Sequence, residues 1–319
     1  MNILITGGAG FIGSHLMERL LAEKHKVICL DDFNDYYSPE IKQDNLKSVK
    51  KTGAVKAYKA DIRDLAKCRR IFAAENPEVV VHLAARAGVR PSLQDPLLYE
   101  DVNCHGTLNM LELSRKSGVK KFIFGSSSSV YGNSGNIPFN EDDADIKQVS
   151  PYGTTKRIGE LYCYNYHKLY DMPIVCLRFF TVYGPRQRPD MAIHKFTRLI
   201  SEGKPVPMFG DGTTKRDYTY YTDIINGITA SIKADIGYEI INLGESSTVE
   251  LRYLIELIGK NLGRRAHITK FPAQPGDVEL TCADIGKARR LLGYKPQVPI
   301  EKGIEEFAGW YIRKMKYEK

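Results

Sequence analysis

The sequence contains no apolar run approaching the ~20 residues that cross a bilayer, and its best candidate, 79–85, is interrupted by His82. An integral membrane protein is therefore not expected. There is no basic leader or small-residue cleavage site, and the apolar opening breaks at Gly7-Gly8, so the expected location is the cytoplasm rather than a secretory route. Cysteine is sparse. The six residues Cys29, Cys68, Cys104, Cys163, Cys176 and Cys282 are far apart with no C-x-x-C pair, so neither a disulfide framework nor a metal site is expected. A concentrated basic face is also missing. The net charge is +8, but Lys and Arg are spread along the chain, with modest clusters at Lys47/Lys50/Lys51 and Arg313/Lys314/Lys316. A solvated basic surface or an anionic substrate fits this better than nucleic acid, which needs clustered charge with stacking aromatics.

What remains is ordinary globular material. With 319 residues, 43% hydrophobic and 26% charged, the chain is too apolar for disorder and too poor in Gly and Pro for a fibre. Its length suits two domains, or one large α/β unit with an appended lobe. Short β-rich runs at 2–6, 26–30, 55–58, 79–83, 121–125 and 174–180 alternate with amphipathic stretches. Several are apolar on successive residues, as strands of a parallel sheet covered on both faces must be. The expected fold is a doubly wound parallel α/β sheet of the Rossmann type over residues 1–182, with a return segment near 219–243. After Tyr183 the chain turns to Gly and Pro punctuation, at Gly184-Pro185, Gly203-Lys204-Pro205, Gly210-Asp211-Gly212 and 272–276. Residues 183–319 therefore read mainly as a smaller α/β lobe that covers a ligand at the carboxyl ends of the strands.

Gly7-Gly8-Ala9-Gly10-Phe11-Ile12-Gly13 follows the first strand directly and opens a helix. Gly7, Gly10 and Gly13 allow a tight turn, close approach of backbone to a pyrophosphate and close helix–strand packing, while the helix start with Phe11 and Ile12 offers N–H donors. The second strand ends at Asp31-Asp32, near the spacing of a carboxylate that holds an adenosine ribose. Two adjacent acids disfavour a 2′-phosphate, so NAD is expected over NADP. Asp61-Ile62 and Leu83-Ala84-Ala85 fall after the third and fourth strands, where loops meet adenine and pyrophosphate.

Two Tyr-x-x-x-Lys pairs occur, Tyr152/Lys156 and Tyr164/Lys168. Four residues apart on a helix, either ammonium can lower the pKa of its phenol and favour a phenolate base. Position distinguishes them. Tyr152 follows Ser150-Pro151 at a helix start, near a strand end carrying Ser126-Ser127-Ser128-Ser129-Val130-Tyr131-Gly132, whereas Tyr164 lies three turns deeper among Tyr162 and Tyr166.

The glycine turn, the serine strand end and Tyr152-x-x-x-Lys156 together resemble the extended short-chain dehydrogenase/reductase family, which includes nucleotide-sugar epimerases and dehydratases. The stretch Arg178-Phe179-Phe180-Thr181-Val182-Tyr183-Gly184-Pro185-Arg186-Gln187-Arg188-Pro189-Asp190-Met191 and the later Met208-Phe209-Gly210-Asp211-Gly212 are similar to the UDP-glucuronate 4-epimerases within it. The resemblance covers essentially the whole chain. It implies Tyr152 as base, Lys156 on the nicotinamide ribose, Ser127 on the sugar 4-hydroxyl and Asn103 in the cofactor-side network. It also implies Arg216 on the diphosphate, Pro207, Met208 and Phe209 along the uracil, Thr181 at the sugar, and a homodimer. Relatives carry a second diphosphate arginine just before the Gly276-Asp277 pair; here Gln274-Pro275 stands there.

The implied reaction is NAD-dependent 4-epimerisation of UDP-glucuronate through a 4-keto sugar. That intermediate is a β-keto acid, so an epimerase must hold the carboxylate against loss as carbon dioxide; Ser128, Ser129 and Arg188 are the expected donors, with Arg90 either a helper or a phosphate contact. Related decarboxylases carry Glu where Ser129 stands, and related 4,6-dehydratases an Asp-Glu pair on this strand end. The alternatives are a UDP-glucose 4-epimerase, a UDP-glucuronate decarboxylase and a non-catalytic dinucleotide sensor.

Overall fold

The computed structural model of the protein describes residues 1–143, 146–272 and 278–317. The chain begins with three strand–helix units and a fourth strand, β1 (Asn2–Thr6), α1 (Phe11–Ala22), β2 (Lys26–Asp31), α2 (Pro39–Lys50), β3 (Val55–Lys59), α3 (Leu65–Glu75) and β4 (Val79–His82). The short α4 (Val89–Gln94) and α5 (Pro96–Glu100) lead through a π-helical turn, Asp101–His105, into α6 (Gly106–Lys116) and β5 (Lys121–Ser127). A 3₁₀ turn, Ser128–Tyr131, precedes α7 (Pro151–Tyr170), β6 (Ile174–Phe179) and β7 (Thr181–Tyr183). Then come α8 (Ala192–Ser201), β8 (Val206–Phe209), β9 (Lys215–Arg216), β10 (Tyr218–Tyr220), α9 (Tyr221–Lys233), β11 (Tyr238–Leu243) and β12 (Val249–Glu250). The chain ends with α10 (Leu251–Leu262), β13 (Ile268–Phe271), α11 (Gly286–Leu292) and α12 (Ile300–Tyr317).

Seven parallel strands form one sheet in the order β11-β6-β5-β4-β1-β2-β3. Alternate residues supply its two faces: Ile3, Ile5, Val79 and Val81 pack on one side, Leu4, Val80, Phe122 and Phe124 on the other. This explains the unbroken apolar runs in the sequence, because helices cover both faces. Strand β3 differs, with most of its residues exposed, because it is an edge strand.

The order reverses between β1 and β4, and the crevice outside that switch point is where open α/β sheets bind ligands. The chain leaves the sheet after β6 and returns through α9 to place β11 beside β6. Between and beyond lie three two-stranded pairs, β7 with β10, β9 with β12 and β8 with β13. Their own core includes Ile193, Phe196, Met208, Leu254, Ile258 and Phe307. All six cysteines are free thiols. Among the described residues no helix is long and apolar enough to cross a membrane.

Candidate active site

The glycine turn is built by close approach. Gly7 has φ +69 and a Cβ there would lie 2.8 Å from Ala84 N; a Cβ on Gly13 would lie 2.4 Å from Gly7 O. Only hydrogen fits at either place. The first turn of α1 has no acidic residue and no side-chain cap, so its N–H groups and dipole face the crevice. Asp31 closes the turn from β2, accepting from Ala9 N at 3.1 Å and Phe33 N at 2.9 Å. Burial raises its carboxyl above the usual range, and Lys42, with Nζ 3.3 Å away, works against that rise. Asp32 sits 3.6 Å from the same ammonium.

The chemical end depends on how closely α7 approaches β5. Ser150 caps the helix, accepting from Gly153 N at 3.1 Å, and Pro151 occupies its first turn. A Cβ on Gly153 would lie 2.5 Å from Ser129 O, so a glycine is required for the helix start to rest on the serine turn. Tyr152 is thereby brought beside Ser127, whose hydroxyl favours the ionised phenol. Ser127 Oγ donates to Ser129 Oγ at 3.2 Å and accepts from Ser129 N at the same distance.

One cavity of ≈ 440 Å³ takes in both ends. Gly7, Gly10, Phe11, Ile12, Gly13, Asp31, Asp32, Asp61, Ile62, Leu83, Ala84 and Ala85 line it, together with Ser127, Ser128, Ser129, Tyr152, Lys156, Thr181 and Arg188. A dinucleotide fits the first group: a backbone cradle with no room for side chains, free helix N–H groups and a carboxylate opposite. By contrast Tyr164 is 44% exposed, with Lys168 over its ring, so the second Tyr/Lys pair faces away from the cavity.

Lys156 Nζ donates to Gly125 O at 2.7 Å and lies over the Phe124 ring, and burial lowers its pKa to about 8. Burial also pushes the Tyr152 phenol up, while the Ser127 hydrogen bond and the Arg188 charge pull it back. The cation near the phenol is Arg188, fixed by a two-pronged bond to Asp190 at 3.0 and 2.9 Å and stacked over Tyr36. Burial opposes the charge on Asp190, but Arg188 outweighs it and holds that carboxyl below its usual range.

Several expected residues lie off this cavity. Asn103 stands behind the wall, clamping the backbone of Arg86 through Arg86 N and O at 2.8 and 3.0 Å and donating to Thr155 Oγ1 at 3.0 Å. It supports the lining rather than touching what the cavity holds. Alternation along β8 sends Val206 and Met208 into the lobe core, so the Met208 side chain is committed to packing; Pro207 and Phe209 face the other way. Arg90 places its guanidinium 5.0 Å from the centre of the Phe209 ring, joining α4 to β8. Arg216 lies on β9 with Nη1 donating to Lys215 O at 2.9 Å. Gln274, Pro275, Gly276 and Asp277 lie outside the described residues.

Some site residues carried no motif. Lys42, Asn34 and Tyr37 line the cavity around Asp31 and Asp32, and Tyr36 lines it under the Arg188 guanidinium; only the acid- and tyrosine-rich loop after Asp31 hinted at them. His82 is fully buried between Thr6 Oγ1 at 2.7 Å and Thr107 Oγ1 at 3.0 Å, and Thr6 Oγ1 accepts from Ala84 N at 3.1 Å. Burial drops its pKa to about 3, so it is a neutral link that orients the loop after β4. A histidine inside an apolar strand was its only signal.

The family described as GDP-mannose 4,6 dehydratase matches residues 4–307. A UDP-glucuronate 4-epimerase of Thermodesulfobacterium geofontis is 44% identical over 308 residues, spanning 96% of this chain and 95% of that protein. The crystal structure of UDP-glucuronic acid 4-epimerase from Bacillus cereus, in complex with UDP-glucuronic acid and NAD, shares the fold with a TM-score of 0.92 at 38% identity, covering 98% of this chain and 100% of that one. A UDP-glucose 4-epimerase from Thermotoga maritima, crystallised with UDP-glucose, gives a TM-score of 0.92 at 33% identity, over 99% and 100% of the two chains.

Proposed function

This chain belongs to the GDP-mannose 4,6 dehydratase family of extended short-chain dehydrogenases/reductases, and on that premise we propose that it is an NAD-dependent 4-epimerase converting UDP-glucuronate to UDP-galacturonate. The observation that carries the reading is the meeting of Tyr152, Ser127 and Arg188 in one cavity with the glycine cradle. A bound NAD would supply a reversible hydride acceptor at sugar C4, and because the hydride would return to the opposite face of the turned 4-keto sugar, no net redox change would accompany turnover. Tyr152 takes the 4-hydroxyl proton through its phenol oxygen and gives it back; Ser127 bridges phenol and sugar hydroxyl. Lys156, held over Gly125 O, supports the nicotinamide ribose. Gly7, Gly10 and the start of α1 hold the pyrophosphate, and Asp31 and Asp32 the adenosine ribose.

The sugar carboxylate decides the outcome. Ser128, Ser129 and Thr181 offer hydroxyls and Arg188 a fixed charge on the same cavity. Held there, the 4-keto acid keeps its carboxyl group, because donors that stabilise the localised charge raise the barrier to releasing it as carbon dioxide. The turn 127–131 has no carboxylate, so the proton shuttle of a 4,6-elimination is missing. Phe209, Pro207 and Arg216 receive the uridine diphosphate from the small lobe, with Arg90 beside Phe209. The enzyme works in the cytoplasm as a homodimer, for which Leu97 on α5 and Leu161 and Leu169 on α7 present exposed apolar side chains; sedimentation tests the dimer.

One observation favours a second reading. Asp190 already offsets the Arg188 charge, which suits a neutral hexose and so a UDP-glucose 4-epimerase. The test supplies UDP-glucuronate and UDP-glucose separately and follows products by proton NMR with carbon dioxide release. UDP-galacturonate without carbon dioxide supports the first reading; conversion of UDP-glucose alone establishes the second. Tyr152→Phe should lower either activity by about 10²–10⁴-fold, and full activity in that variant overturns the role of Tyr152.

A further inference from the structure

Two segments far apart in sequence are fastened together behind the sugar end of the cavity. The loop between β7 and α8, which carries Arg188, reverses at Gly184 with φ +139 and at Arg186 with φ +65. An arginine in the left-handed region is strained, and such strain persists only where the surroundings over-determine the backbone. Here the surroundings are α1. Arg186 donates to Glu18 Oε1 at 2.6 Å, with the two side chains 17% and 25% exposed. His15 Nε2 hydrogen-bonds Pro185 O at 2.9 Å, and its ring lies 3.9 Å from that of Tyr221. On the far side, Gln187 N donates to Gly184 O at 3.0 Å and His194 Nδ1 bonds Gln187 O at 2.6 Å. Arg188 is thus held relative to α1, the helix whose first turn faces the dinucleotide. Neither Arg186, Glu18 nor His15 lines the cavity.

We propose that Arg186, with Glu18 and His15, is a positioning set that fixes Arg188 against the sugar carboxylate and so decides whether the 4-keto uronate keeps its carboxyl group. The proposal rests on the UDP-glucuronate reading above. In the 4-keto acid the C5–C6 bond can break, its electron pair passing to the C4 carbonyl as an enolate while the carboxyl carbon leaves as carbon dioxide and C5 then takes a proton; the 4-keto pentose so formed would become UDP-pentose once the hydride removed from C4 is returned to it by the reduced dinucleotide. That route opens when the C5–C6 bond swings into line with the carbonyl π system. A guanidinium anchored on two sides restrains the carboxylate from that swing; one free to drift with its loop does not.

Arg186→Gly removes the ion pair while easing the left-handed backbone, and Glu18→Gln removes the charge while leaving an acceptor. Each variant, with wild type and Arg188→Ala, is given UDP-glucuronate labelled in the carboxyl carbon. Released label is counted, UDP-galacturonate and UDP-pentose are measured by NMR, and amide hydrogen exchange is read over 184–191. The ratio of UDP-pentose to UDP-galacturonate should rise about tenfold in Arg186→Gly and in the same direction in Glu18→Gln, as loss of alignment does. Exchange over 187–191 should quicken in both, and Arg188→Ala should share the raised ratio without the quickened loop. A ratio within about twofold of wild type, or a lower melting temperature with an unchanged ratio, overturns the proposal. If wild type converts only UDP-glucose, the substrate reading fails by itself; unchanged exchange in Arg186→Gly then overturns the positioning role separately.

Discussion

Gly153→Ala tests how the site is assembled. The added Cβ would fall 2.5 Å from Ser129 O. The obstacle is backbone, so no rotamer change relieves it. Restoring an ordinary contact of 3.4 Å requires the helix start and the serine turn to part by about 0.9 Å. Tyr152 rides on one side of that gap and Ser127 on the other. Misplacing reacting groups by ~1 Å costs on the order of 10²-fold in rate, or about 2.7 kcal/mol of transition-state stabilisation. Alanine also favours a helix over glycine by roughly 0.5–1 kcal/mol, which opposes the steric loss of stability. The expected signature is a kcat for UDP-glucuronate about 10²-fold down, with a melting temperature that moves little. Initial rates of UDP-galacturonate formation, read beside a melting curve, check it. Gly135→Ala is the control, because a Cβ there meets nothing within 4 Å. A kcat for Gly153→Ala within about threefold of the control would refute the idea that this close approach sets the Tyr152–Ser127 geometry.

Glu160 lies fully buried, accepting from Ser126 Oγ at 2.7 Å, from Arg178 at 2.8 and 2.9 Å and from Arg157 at 2.9 Å; Glu160→Gln leaves the Arg178 guanidinium buried without its counter-charge and should destabilise by about 3–5 kcal/mol. Melting at pH 7 checks this, and a loss below about 1 kcal/mol would contradict it. Burial lowers Lys156 to about 8, so below that pH the folded protein carries a charge that burial disfavours. Between pH 8 and the ordinary lysine value the unfolded chain binds the extra proton, and stability from this group rises with pH. Lys156→Met should therefore be more stable than wild type at pH 7, by a margin that narrows by pH 10. Urea unfolding at both pH values tests it; a margin independent of pH would refute it.

The sheet was legible because its strands announce themselves: β1, β4 and β5 are apolar on consecutive residues, and helices cover both their faces. The small lobe was not, since strands such as β9 and β12 have two residues each, too few to show a period. The same division holds in the site. Gly7, Asp31, Ser127 and Tyr152 lie at strand or helix ends in compact motifs that the structure gathers on one cavity. Lys42 reaches Asp31 across the turn of another helix, Asn103 finds the Arg86 backbone 17 residues away, and Glu18 meets Arg186 168 residues on; no local pattern encodes such pairings. The Lys156 ammonium shows a further limit. Helical spacing put it on the Tyr152 side of α7, but only packing reveals that Gly125 O holds its Nζ.

The return of β11 to the main sheet has a practical consequence. A fragment ending at residue 182 would keep the glycine turn, Tyr152 and Lys156 yet strip β6 of its neighbour, baring the backbone edge of Ile174–Phe179, whose residues are almost wholly buried in the intact chain. An uncovered, apolar edge of that length recruits strands from other molecules. The cofactor half is thus not a separable module: a strand that returns from within the small-lobe sequence shields it from aggregation, and truncation from the C-terminal side should yield insoluble protein before it yields an isolated dinucleotide binder.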